Sequence, residues 1–97
     1  MPEVTLLYFD GCPSWKLAAD RLRALADELE LTIVHAKVDS PEAAVRRRFR
    51  GSPTILVDGR DVFATGDEPV GLSCRLYQTP DGPSGVPTAD QLRATLR

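Results

Sequence analysis

The chain has 97 residues, 12 basic and 14 acidic, for a net charge of −2; 42% are hydrophobic and 27% charged. That length supports one domain, residues 1–97, with one modest core, and the charge balance excludes the strongly basic surface that nucleic acid or an anionic membrane selects. No apolar run approaches the roughly 20 residues of a membrane helix, and the opening "MPEVTLLYFDGCP" lacks the basic region and cleavage site of a signal peptide, so the expectation is a cytoplasmic protein without membrane partners.

Residues 3–9, "EVTLLYF", are rich in β-branched and aromatic types and read as a strand. Adjacent Leu6 and Leu7 imply burial on both faces. Asp10-Gly11 breaks it. From Pro13 to about Leu29 the pattern is helical: Ala18, Leu22, Leu25 and Leu29 share a face, and Pro13 suits a first helical position. "LTIVHAKV", residues 31–38, reads as a second strand in which Val34, Ala36 and Val38 alternate. "DSPEAAVRRRF" opens a short helix with Ser40 as N-cap, Pro41 first and Glu42 at the positive end.

"PTILVDGRDVFA" has the pattern of a hairpin turning at Asp58-Gly59. Residues 65–87 are rich in Gly, Pro and Asp without a period, and an irregular stretch of that length in so small a domain is often functional. "TADQLRATL" closes as a helix, with Thr88 and Gln91 at capping-box spacing. The order is β-α-β-α-β-β-α. The first two strands, joined through a helix, are expected to be parallel, and the last two antiparallel.

That order, with "YFDGCPSW" at the first strand–helix junction and "GSPTILVDG" at the third strand, resembles the thioredoxin-like superfamily over nearly the whole chain. The resemblance implies an α/β fold with a four-stranded mixed sheet flanked by helices. It implies that Cys12 is the nucleophile and that Pro53 is a cis-proline facing it. Ser52, before that proline, would present its backbone to an extended peptide or thiol substrate, with Thr54, Pro13 and Trp15 beside it. "GLSCRLY…GVPTADQLRATL" is also similar to small bacterial thioredoxin-like proteins lacking a complete CxxC motif, some of them labelled alkylmercury lyases, although no lyase motif matches residue by residue. Trp15 stands where a dithiol thioredoxin has its second cysteine, so exchange within a CxxC motif is excluded.

A thiol at a helix N-terminus faces unpaired N–H groups and the positive end of the dipole, which favour thiolate; the alternative for Cys12 is a small core residue. In a reducing compartment two cysteines point to chemistry or metal binding sooner than to a structural staple. The family's antiparallel pairing of the third strand with the first returns the fourth strand to the Cys12 end. This puts the 65–87 loop, and Cys74, on that side. Cys74 would then be a resolving cysteine, half of a two-thiolate site, or an anchor for "LSCRLY".

Arg46, Arg47, Arg48 and Arg50 would attract an anionic substrate or form a solvated helix end. Arg75, next to Cys74, would lower a thiol pKa or pair with Asp67 or Glu68, and is read first as a surface charge. Trp15 would shield Cys12, offer a platform or simply pack. Asp10 is a proton acceptor or a turn residue, and His35 is structural. One His and two Cys do not make a closed zinc site, and no cofactor is expected.

Three functions follow as expectations. The first is a thiol–disulfide oxidoreductase using Cys12, with Cys74 or an external thiol as resolving partner, acting on a protein or small-molecule thiol or disulfide. The second is a soft-metal or organomercurial thiolate site of Cys12 and Cys74. The third is a thioredoxin-fold scaffold without thiol chemistry.

Overall fold

The computed structural model describes residues 3–66 and 68–96; Met1, Pro2, Asp67 and Arg97, including the expected Arg75–Asp67 pairing, lie outside the described residues. Strand β1 (Glu3–Tyr8) leads into helix α1 (Ser14–Leu29), strand β2 (Thr32–Lys37) and helix α2 (Pro41–Arg47). Strands β3 (Arg50–Ser52), β4 (Thr54–Val57) and β5 (Arg60–Asp61) follow, then β6 (Gly71–Cys74), β7 (Tyr77–Thr79), β8 (Gly82–Ser84) and helix α3 (Ala89–Leu96).

The main sheet has the order β2-β1-β4-β5. β1 is parallel to β2, with Leu6 opposite His35, and antiparallel to β4, with Leu7 opposite Thr54. Because side chains alternate along a strand, the adjacent Leu6 and Leu7 enter opposite cores. Leu6 joins Val4, Ile55, Ala18, Leu22, Leu25 and Leu92 on the α1/α3 side, and Leu7 joins Val38, Ala43, Ala44 and Phe49 on the α2 side. Two thin cores on either face of a mixed sheet, in this strand order, are the thioredoxin-like fold.

The local signals act as the physics requires. Ser40 accepts the Ala43 N–H at 3.1 Å, Pro41 opens α2, and Thr88 and Gln91 cap α3 reciprocally at 3.1 and 2.9 Å. At the head of α1, Pro13 is the N-cap and Ser14 the first helical residue, one position later than the sequence pattern places the start. Pro13 bonds through its carbonyl to the Lys16 N–H. β2 is an edge strand, so Val34 is exposed while Val38 is buried.

The 65–87 stretch is not irregular throughout. It holds β6, which pairs with β3, and the hairpin β7–β8, whose turn at Pro80-Asp81 is closed by the Thr79 hydroxyl donating to the Gly82 carbonyl. Such three- and four-residue strands are too short to show a period. No helix among the described residues is long and apolar enough to cross a membrane.

Candidate functional site: a disulfide at the mouth of helix α1

β1 ends at Tyr8, and the turn that follows, closed by the Cys12 N–H bonding to the Phe9 carbonyl, carries Cys12 to the N-terminus of α1. Cys74, at the end of β6, is bonded to it as a disulfide, with Cα atoms 5.6 Å apart and a sequence separation of 62. The two residues differ in exposure: Cys12 is 1% exposed, whereas Cys74 is an exposed residue. The open thiol implied by the Cys12 position is thus covered in this disulfide-bonded form.

Ser52 and Pro53 complete the junction. The peptide bond between them is cis. Ser52 is wholly buried, and its hydroxyl accepts the Phe9 N–H at 3.3 Å, tying the β3 end to the turn that carries Cys12. On its other side Ser52 is the register partner of Cys74, and its carbonyl accepts the Arg75 N–H at 3.1 Å. The Gly71 N–H likewise bonds to the Phe49 carbonyl at 2.9 Å. The backbone beside Cys12 therefore already has a strand against it, and that strand is the chain's own residues 71–74.

Arg75 fixes the end of that strand. It is 4% exposed, against the surface charge read from the sequence, and its partner is Asp61, with bonds of 2.7 and 3.2 Å. Its guanidinium lies 4.6 Å from the Tyr77 ring centre, and Tyr77 donates its hydroxyl to the Pro53 carbonyl. Burial pulls the Arg75 pKa down, but the Asp61 hydrogen bonds and charge outweigh it and the net direction is up. Burial also raises the Tyr77 phenol, keeping it a donor. Nothing in a lone "CR" marks such an anchor; Asp61 comes into reach only through the β4–β5 hairpin.

Gly51 makes the close approach feasible. Its φ is +103°, and a Cβ there would stand 3.0–3.2 Å from the Arg75 backbone and Cβ. Glycine alone suits both demands.

The remaining site residues of the sequence reading divide. Thr54 is buried, its hydroxyl donating to the Gly51 carbonyl at 2.6 Å and lying 3.5 Å from the Arg75 guanidinium. Pro13 is exposed beside Cys12. Trp15 stacks on Tyr8 at 4.2 Å between ring centres and packs against the α1/α3 core. Asp10 forms an exposed ion pair with Lys37 at 2.7 Å, and His35 is exposed on edge strand β2.

Glu68 accepts from the Thr65 hydroxyl at 2.7 Å and from the Thr65 N–H at 3.0 and 3.1 Å, which holds its carboxyl down at about 2. Arg47, Arg48 and Arg50 meet Arg60 around a concavity of about 320 Å³ on the β5 edge. No group of three or more His, Cys, Asp or Glu side chains placed to hold a metal ion is present among the described residues.

No protein-family model matches the chain, and no curated protein matches it either. The fold and the paired cysteines define its class: a thioredoxin-like α/β protein with two cysteines able to form a disulfide across the α1 mouth.

Proposed function

We propose that the chain is a thiol–disulfide oxidoreductase whose two working sulfurs come from distant segments, Cys12 as nucleophile and Cys74 as resolving cysteine. The observation that carries this reading is the Cys12–Cys74 bond itself, made at a helix N-terminus beside Ser52-Pro53. Cys74 takes the role that Trp15 denies to the position three residues after Cys12.

In the reduced chain the unpaired N–H groups at the start of α1 favour a Cys12 thiolate. That thiolate attacks one sulfur of a disulfide substrate and the other sulfur leaves as thiolate. The Cys74 thiolate then attacks the Cys12 sulfur, the substrate's first sulfur leaves as thiolate, and the Cys12–Cys74 bond forms. Two electrons pass from the chain's two thiols to the substrate disulfide. Two equivalents of an external thiol, attacking first at Cys74, the exposed residue of the pair, and releasing Cys12 as thiolate, restore the dithiol.

The test is the mass of the full chain in glutathione redox buffers. Exchange predicts reversible loss of two hydrogens, and a glutathione adduct on the remaining cysteine of Cys12→Ser or Cys74→Ser. A pair that neither reduces nor reoxidises supports a scaffold instead. The Cα separation of 5.6 Å also suits a second reading, two thiolates on one soft metal ion, which stoichiometric mercury(II) uptake lost in either Cys→Ser variant would favour.

A further inference from the structure

The segment from Glu68 to Arg75 is pinned at both ends and buries little between them. Glu68 is tied to Thr65, and Arg75 is buried on Asp61 and Tyr77. Between these pins Pro69, Val70, Leu72, Ser73 and Cys74 are all exposed. What holds the middle is its backbone pairing with Arg50–Ser52 and the bond to Cys12. A segment with so little buried apolar surface opens locally at low free-energy cost once its covalent tie is cut.

Building on the exchange reading, we propose that residues 69–74 are a redox-operated strap. Bonded through Cys74, the strap fills the backbone edge of Arg50–Ser52 and closes over Cys12. Reduction frees residues 69–74 to swing about the Arg75 anchor, and the vacated edge, with its Phe49 and Ser52 carbonyls, accepts a cysteine-bearing polypeptide in extended form. The anchor keeps Cys74 within reach. As Cys74 attacks the Cys12 sulfur in the resolving step, the strap returns to the edge and displaces the visiting strand, so chemistry and release are one motion.

Two measurements on the full chain test this. The first is amide hydrogen exchange with and without a phosphine reductant, which opens the disulfide without thiol exchange, in sucrose to hold the global fold. The expected result is that exchange at Gly71–Cys74 speeds up at least about tenfold more than exchange in the β1–β4 ladder, a difference of about 1.4 kcal/mol over and above the general loss of stability on reduction. Unchanged protection of the strap, or an equal loss throughout the sheet, overturns the proposal.

The second is competition for Cys12 in the Cys74→Ser chain between glutathione and the capped peptide VGLSCRLY, which copies residues 70–77. The peptide is expected to win by about tenfold, again about 1.4 kcal/mol. A version with proline in the Arg position, lacking the N–H for the Ser52 carbonyl, should fall to the level of glutathione. Equal occupancy by all three overturns the strap alone. A Cys12 that reacts with none of them overturns the exchange reading with it.

Discussion

Ser52 and Cys74 are register partners on two parallel strands, and the Ser52 carbonyl accepts the N–H of Arg75, the residue after Cys74. Through this pairing the chain presents one of its own cysteines to Cys12 in extended form, next to the cis bond at Pro53. Under the strap proposal, a visiting polypeptide that takes the place of Cys74 on that edge offers a similar backbone and a sulfur in the same place.

Reduction should begin at Cys74, the exposed residue of the pair. With limiting thiol, rapid alkylation and peptide mapping, the adduct is expected on Cys74 and the alkyl label on Cys12, since Cys12 is 1% exposed and leaves into the field of the α1 N-terminus. The reverse distribution would mean that Cys12 is the sulfur reached first.

The bond should also stabilise the fold. It closes a long loop, so reduction should lower the unfolding free energy by about 2–4 kcal/mol in denaturant titrations. A difference near zero would show that Arg75 and the β3–β6 pairing hold the segment without it.

Gly51→Ala should loosen the site without touching a sulfur. The added methyl meets the Arg75 backbone at a φ that favours glycine, at a cost of about 1–3 kcal/mol. Slower closure of the disulfide in air or glutathione buffer should accompany the lower midpoint. Wild-type closure kinetics in this variant would separate Gly51 from the placement of Cys74.

Arg75→Ala should be the most damaging single change outside the apolar cores, because it leaves the Asp61 carboxylate partly buried without its partner; about 3–5 kcal/mol is expected. The double change Arg75→Ala/Asp61→Ala should recover part of that loss in the same unfolding measurement.

The Glu68 pin sets an acid limit. Its hydrogen bonds from Thr65 lower the carboxyl from an ordinary 4.5 to about 2, so its contribution is complete above about 4.5 and is lost as pH falls toward 2. Between pH 5 and 2 the wild type should lose stability relative to Glu68→Gln. Parallel curves for the two proteins would remove Glu68 from the account.

Much of this fold was legible because its signals are local. Ser40-Pro41, Thr88 with Gln91, the Asp58-Gly59 turn and the Leu6-Leu7 pair each state their structure within a few residues. The site was legible only as far as the resemblance carries: the strand pairing it implies, followed to the end of the fourth strand, put Cys74 on the Cys12 side. Its pairing with Ser52 was hidden, because β3 and β6 are three and four residues long and their register shifts between Arg50 and Ser52. Arg75 was misread for a related reason. A charged residue in a Gly- and Pro-rich stretch looks solvated until the hairpin brings Asp61 beneath it.

The most direct test of the central claim is the mass of the intact protein as the ratio of reduced to oxidised glutathione is varied. One reversible transition is expected, in which the Cys12–Cys74 bond opens to two thiols and closes again, with a mixed disulfide trapped when either cysteine is replaced. A disulfide that stays closed across the whole range in the folded chain, or thiols that never pair, would contradict it.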